Sequence, residues 1–312
     1  MEKANIPKIS VLMAVFNAEK FIRRSVESVL SQTFQDFELI CVDDGSQDNS
    51  LVVLRELAEQ DSRVKIVANQ HKGACETLNS CLDSAIGEFV TFIDNDDAYH
   101  PRLLELAYRE ISTSDNDIVI WDWDGVNDEG KTIPFHEIYD IQKAENIGDP
   151  VEWSIDNRHV SFWCKIYRRE LLSDIRFNPK VIHGDVVFQW ELLLKKDLKV
   201  GYLPCSLYRY YIRSESMDHC SMTYAKAVDR VICVESMMAS CGKSKKITKQ
   251  VKKLFAEMVW SAYKNGRVFP EFRRGIICEI SRCICSGAVC LRDFPFVRRI
   301  KIILSILLLL RR

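Results

Sequence analysis

Four apolar runs pace the first hundred residues. Positions 9–16, 37–42, 64–68 and 89–93 are almost continuously hydrophobic, where a strand with one wet face would alternate apolar and polar side chains. They therefore predict strands buried on both faces. Between the first two runs, Phe21, Ile22, Val26, Val29 and Leu30 recur at helical spacing, with Asn17 placed to cap that helix. Positions 51–58 and 75–85 predict a second and a third helix. Strand alternating with helix specifies an α/β chain with an open, doubly wound, mostly parallel sheet and flanking helices. Further on, positions 103–111 predict a helix and 118–121 a strand, while 124–150 is polar and irregular, a stretch suited to loops around an acceptor.

In such sheets ligands bind outside the carboxyl ends of the strands, near the point where strand order reverses. Three polar strand ends meet that description: Phe16-Asn17, Asp43-Asp44, and the run Asp94-Asn95-Asp96-Asp97. Carboxylates this close repel one another unless a cation or a set of donors offsets the charge, and oxygen ligands of this kind suit Mg²⁺ or Mn²⁺. A loop of helix-capping aspartates ahead of Pro101 is the plainer reading of the same residues. The first strand is followed by Phe16-Asn17-Ala18-Glu19, not by the G-x-G-x-x-G turn of a dinucleotide site, and no G-x-x-x-x-G-K-[ST] loop occurs anywhere. A diphosphate bound here would need its charge offset by a metal, which the aspartates can hold.

Charge divides the chain. Its 312 residues are 47% hydrophobic and 28% charged with a net charge of −1, yet positions 220–312 hold 19 Lys and Arg against 6 Asp and Glu. An acidic part thus precedes a basic one. Positions 1–8 are polar with no cleavage pattern behind them, so no secretory signal is expected, the chain is expected in the cytoplasm, and its 12 cysteines are expected as reduced thiols. Cys278, Cys283, Cys285 and Cys290 match no C-x₂-C pair and have no histidine nearby, which argues against zinc. Lys243, Lys245, Lys246, Lys249, Lys252 and Lys253, and the apolar run 302–310 with its arginine flanks, suit peripheral contact with the inner face of a membrane. That run is shorter than the roughly 20 residues a spanning helix needs. A core helix with a solvated lysine face is the alternative, and nucleic acid is not expected, since the basic groups lack interleaved aromatics.

Residues 9–17 (I-S-V-L-M-A-V-F-N), 28–34 (S-V-L-S-Q-T-F), 41–46 (C-V-D-D-G-S) and 87–97 (G-E-F-V-T-F-I-D-N-D-D) resemble, in this order and spacing, the family 2 glycosyltransferases of the GT-A fold. The resemblance implies inverting transfer of a sugar from a nucleotide-diphosphate donor to a saccharide acceptor, free or lipid-linked. It implies that Ala14, Phe16, Asp43 and Asp44 line the donor pocket, with the Phe16 ring against the base and Asp44 accepting from its N–H. Asp94 and Asp96 match the family's D-x-D, with Asp96 on the metal. His183-Gly184-Asp185 resembles the family's E-D segment, making Asp185 the base that takes the acceptor's proton; N-capping of the helix that starts there is the structural alternative. Members commonly carry Pro and Tyr at Ala14 and Phe16, Arg and Gly at Leu78 and Cys81, and Glu at Gly184.

A GT-A catalytic domain over 1–219 is expected, with a nucleotide-sugar half to about 112 and an acceptor half from 113, then a helical, basic, membrane-contacting region over 220–312. Trp163 reads as a sugar platform or a core residue, and Arg209 and Arg213 as phosphate ligands or solvated edge residues. Transfer to a polyisoprenyl phosphate, a catalytically inactive sugar-nucleotide-binding subunit and a nucleotidyltransferase are the rival readings.

Overall fold

The computed structural model describes residues 6–127, 144–157, 161–212, 223–266, 272–285, 287, 289–295, 298 and 301–303. The chain forms two compact units, one drawn from residues 1–150, 161–179 and 198–219, the other from 151–160, 180–197 and 220–312.

The first unit is a sheet with flanking helices. Its strands are β1 (Ile9–Val15), β2 (Phe37–Asp43), β3 (Val64–Ala68), β4 (Phe89–Phe92), β5 (Ala98–Tyr99), β6 (Ile118–Asn127), β7 (Glu145–Ile147), β8 (Lys165–Arg168) and β9 (Val200–Ile212). Helices α1 (Ile22–Leu30), α2 (Ser50–Gln60), α3 (Ala74–Ser84) and α4 (Leu103–Thr113) connect the early strands. The order is β3-β2-β1-β4-β8-β6-β9-β5, with β7 on β9. The half that runs β3-β2-β1-β4 is parallel throughout, as the strand-helix alternation predicts. β8 joins it antiparallel, and β6 and β9 pair parallel beyond. The chain builds outward from β1 to β3 and then returns to lay β4 on the other side of β1, so strand order reverses between β1 and β4.

Burial explains the apolar runs: every residue of β2 and β4 is buried, and β1 exposes only part of Ala14. At the edge, β3 keeps Lys65 in solvent, which blunts pairing with another chain. Two expectations need correction. Asn17 does not cap α1, whose N-cap is Phe21; Asn17 instead adopts φ +49, a left-handed conformation that Asn tolerates. The strand predicted over 118–121 continues to Asn127, because the polar residues beyond Trp121 still pair with β9 through register shifts on either side of Asp122.

A buried polar cluster fastens the opposite end of the parallel half. Ser10 Oγ donates to Glu38 Oε1 at 2.6 Å, the same oxygen accepts from the Ile86 N–H, and the Gly87 N–H donates to Ser10 Oγ at 2.9 Å. Gly87 permits this approach: a Cβ there would lie 2.6 Å from the Ser10 nitrogen and 2.9 Å from the Ile9 carbonyl carbon, both backbone atoms. Lys165 is the other unusual interior group. It is fully buried, and its Nζ donates to the Ser161 carbonyl at 2.5 Å. Burial pushes its pKa down to about 8.

The second unit contains α5 (Pro150–Asn157), α6 (Gly184–Lys195), α7 (Tyr224–Cys241), α8 (Lys249–Gly266) and α9 (Phe272–Cys285). α7 packs on α6, α8 and α9, burying Val231, Val234 and Met237 with Phe255 and Val259. Its first turn is capped by Thr223, whose hydroxyl accepts from the Lys226 N–H. The basic stretch has structural duties: Ser244 Oγ donates to the Leu194 carbonyl at 2.6 Å, and Lys246 Nζ reaches the carbonyls of Leu193 and Lys196 and the Asp197 carboxylate. A cation is favourable there, since these are the orphan carbonyls at the negative end of α6. Among the described residues no helix is long and apolar enough to cross a membrane. Most of the apolar run 302–310 lies outside the described residues.

Gly87→Ala is expected to destabilise the fold by about 1–3 kcal/mol, because backbone must shift to admit the methyl group, and urea unfolding measures it. For Lys165 the unfolded chain keeps its proton to about pH 10.4 and the folded chain releases it near pH 8. Between those values the unfolded state binds more protons, so this residue's contribution to stability rises with pH, by about 3 kcal/mol across the window. Lys165→Met should therefore be the more stable protein at pH 7.5, with the gap to wild type closing towards pH 10.5 in parallel denaturant titrations.

Candidate active site

At the reversal point, three strand ends are knitted together by side chains that serve backbone. The Asp44 N–H continues the ladder to the Val15 carbonyl, and Asn95 Nδ2 donates to the Ala14 carbonyl at 2.8 Å, tying the loop after β4 to the end of β1. Asn17 gives its N–H to Ser46 Oγ and accepts the Gln47 N–H on Oδ1, joining the loops after β1 and β2. The structure thereby brings Ala14, Phe16, Asp43, Asp44, Asp94 and Asp96 to one end of the sheet.

Each carboxylate there has a different job. Asp43 is buried, accepts the Ser46 N–H on Oδ2, and has no partner for Oδ1 among the described residues. Asp44 is 2% exposed. Its two oxygens accept the N–H groups of Lys72 and Gly73 at 2.8 and 2.9 Å, so it holds the loop between β3 and α3. His71, in that loop, places Nδ1 2.8 Å from Asp44 Oδ2 and stacks on Phe16 with ring centroids 4.4 Å apart.

Asp97 is fully buried and accepts the Tyr208 hydroxyl at 2.7 Å and the Tyr211 N–H at 2.9 Å. Burial, followed by the charges of Asp96 and Asp94, pushes its pKa well above the usual carboxylate range. Asp97 is therefore a fastening of the site, while Asp94 and Asp96 remain half-buried and reachable from solvent. Arg24 Nη2 donates to the Asp96 carbonyl at 2.7 Å and its guanidinium lies 3.5 Å over the Tyr211 ring, which fixes the backbone that carries this pair. Two half-buried carboxylates form an oxygen donor set that suits Mg²⁺ or Mn²⁺.

On the other side of these carboxylates, along the sheet, lies an aromatic wall. Trp163 stacks on Tyr208 at 4.9 Å and on Tyr210 at 5.8 Å, and Trp123 meets Trp163 and Tyr210 edge-on at 5.6 and 5.8 Å. Trp123 is 44% exposed. The Tyr208 hydroxyl also accepts the Asp94 N–H at 3.2 Å, so the wall and the carboxylates share a residue. Trp163 is thus half-buried core and half surface. Arg209 is buried on β9, not a solvated edge residue, and Arg213 lies outside the described residues.

Asp185 belongs to the second unit. It is the second residue of α6, whose N-cap is His183 without a side-chain cap, so capping does not account for it. The start of this helix is held by Asp229 of α7, which accepts the N–H groups of Ile182 and His183 and His183 Nδ1, the last at 2.5 Å. Burial alone would raise the Asp229 pKa; the bond from His183 and the two backbone donors outweigh it and hold the carboxylate below its ordinary value. The same bond raises His183. His183, Asp229 and Cys233 are close enough together to hold a metal ion, and the short hydrogen bond between the first two satisfies them without one. Nothing in the sequence around Asp185 pointed to Asp229, which lies 44 positions away on another helix.

Comparison with known proteins adds to this geometry. Glycosyltransferase GlyA of Streptococcus pneumoniae serotype 4 is 29% identical over 220 residues, 68% of this chain but 31% of that protein, so the chain spans about a third of that relative's length. The structure of S. aureus TarS in complex with UDP-GlcNAc matches with a TM-score of 0.71 at 22% identity, covering 92% of this chain and 82% of that one. The mannosyltransferase PcManGT of Pyrobaculum calidifontis, in complex with GDP-Man and Mn²⁺, matches with a TM-score of 0.55 at 15% identity over 97% of this chain and 81% of its own. These likenesses show the GT-A fold. A family model described as glycosyl transferase family 2 matches residues 10–176, from β1 through the carboxylate loop and past β8, and the chain belongs to that family.

Proposed function

We propose that this chain is an inverting glycosyltransferase that moves a sugar from a nucleotide-diphosphate donor to a saccharide acceptor. The observation that carries the reading is the convergence, at the β1/β4 reversal, of an exposed aromatic ring, two buried carboxylates on the neighbouring strand end and a half-buried carboxylate pair on the loop after β4. In this reading the base stacks on Phe16, the ribose and diphosphate pass Ala14 and Asp43, and Asp94 and Asp96 hold Mg²⁺ or Mn²⁺ against the diphosphate. The metal would supply charge stabilisation for the departing nucleoside diphosphate. The complexes of TarS with UDP-GlcNAc and of PcManGT with GDP-Man and Mn²⁺ support a donor of this class.

The acceptor is assigned to the aromatic wall of Trp123, Trp163 and Tyr210. Sugar rings present C–H faces that pack on aromatic surfaces, and this wall follows the carboxylates in sheet order on the side away from Phe16. Asp185 is the proposed base. The positive end of α6 favours its ionised form, and it takes the acceptor hydroxyl's proton as the new C–O bond forms at the anomeric carbon and the bond to the diphosphate breaks. Polysaccharide or glycan synthesis at the inner face of a membrane fits the excess of basic residues after position 220. Transfer to a polyisoprenyl phosphate is the second reading, since a phosphate nucleophile needs no proton removed.

Thermal stabilisation by a panel of nucleotide sugars, with and without Mn²⁺, tests the donor half. One donor is expected to stabilise the protein, by about 2.7 kcal/mol at a hundredfold excess over its Kd, and Asp96→Asn should abolish the metal-dependent part. No shift with any donor would turn the reading towards an inactive subunit, and released pyrophosphate would indicate nucleotidyl transfer. Asp185→Asn is expected to lower turnover by about 10²–10⁴ while leaving donor stabilisation intact. Near-normal turnover in that variant would favour the polyisoprenyl-phosphate acceptor.

A further inference from the structure

We propose that His71 is a built-in surrogate for the donor's base, filling the base's place in the donor-free protein, so that a nucleotide enters only as this imidazole swings out. The proposal rests on the reading of Phe16 and Asp44 as the base-binding pair. A base held by that pair would make two contacts, a ring stacked on Phe16 and an N–H given to the Asp44 carboxylate. His71 makes both. Its ring lies 4.4 Å from Phe16, centroid to centroid, with the planes 27° apart. Its Nδ1 sits 2.8 Å from Asp44 Oδ2 and 3.2 Å from the Asp44 carbonyl oxygen. Both neighbours of Nδ1 are acceptors, so Nδ1 carries the proton and donates, as the base's N–H would.

The two arrangements exclude each other. A base between the rings would need about 3.5 Å on each of its faces, and the rings are already at stacking distance. The imidazole can nevertheless leave without unmaking its loop. The backbone around it is fastened independently, by the Asn69 N–H on the Asp43 carbonyl and by the Lys72 and Gly73 N–H groups on Asp44. The side chain itself is 59% exposed, so solvent is on hand to receive it. Displacement therefore costs one stack and one hydrogen bond, and the Asp44 carboxylate stays desolvated and fully partnered while the site is empty. A site whose competent form is only partly populated binds more weakly by that fraction. His71 thus sets donor affinity without belonging to the bound complex.

Calorimetric titration of the full chain with UDP and with GDP, in the presence of Mn²⁺, tests this. The nucleotide that binds wild type is expected to bind His71→Ala about fivefold to a hundredfold more tightly, the range that one aromatic stack and its hydrogen bond represent together. Phe16→Ala should weaken binding in both backgrounds. In wild type, the His71 ring-proton resonances, shifted by Phe16 in the free protein, should move towards exposed values on saturation. Equal or weaker binding by His71→Ala, with Phe16→Ala still damaging, would overturn the proposal and leave the donor pocket standing. Binding indifferent to Phe16→Ala, or no binding of either nucleotide to wild type or His71→Ala, would overturn the pocket and the proposal together.

Discussion

The carboxylate end of this sheet depends on one buried acid. Asp97 sits in the interior with its side chain taken up by the Tyr208 hydroxyl and the Tyr211 N–H, while its own carbonyl accepts Ser25 Oγ at 2.7 Å. An acid so placed is tolerated only because each oxygen has a donor. In exchange, one residue joins the loop after β4 to α1 on one side and to β9 on the other. Asp94 and Asp96 stand on the turn this creates, closed by the Asp97 N–H on the Asp94 carbonyl. Three neighbouring aspartates are thus divided by environment: one desolvated and structural, two half-buried and reachable from solvent.

The same division explains what the sequence could and could not convey. Continuous apolar runs declare strands buried on both faces, so the parallel half of the sheet, the strand ends and the aspartates on them were legible from order alone. Asp97 looked like its neighbours because its distinguishing partners lie more than a hundred residues later on β9. Trp123 was hidden for a different reason: the residues after Trp121 lose their apolar rhythm where the ladder with β9 shifts register, and a strand with an irregularity reads as a loop. His71 gave no signal because a loop side chain has no periodicity; its contact with Phe16 follows from parallel registry of β1, β2 and β3, a property of the assembled sheet.

Asp185 shows the converse case. Its place at a helix start was legible, but the support beneath it was not, since Asp229 meets His183 only through the packing of α7 on α6. The shortness of the local pattern conceals a long-range constraint.

The fastening of α6 at both ends has a mechanical consequence. At its start the helix is held by Asp229, within α7, and at its end by Ser244 and Lys246, just past the end of α7 in the chain. A beam supported at two points resists rocking, which a single cap cannot prevent. The lysines of the basic stretch are accordingly not equivalent: neutralising Lys246, by acetylation for instance, would loosen one bearing of the rod that carries Asp185, whereas the same chemistry on an exposed neighbour would alter only surface charge.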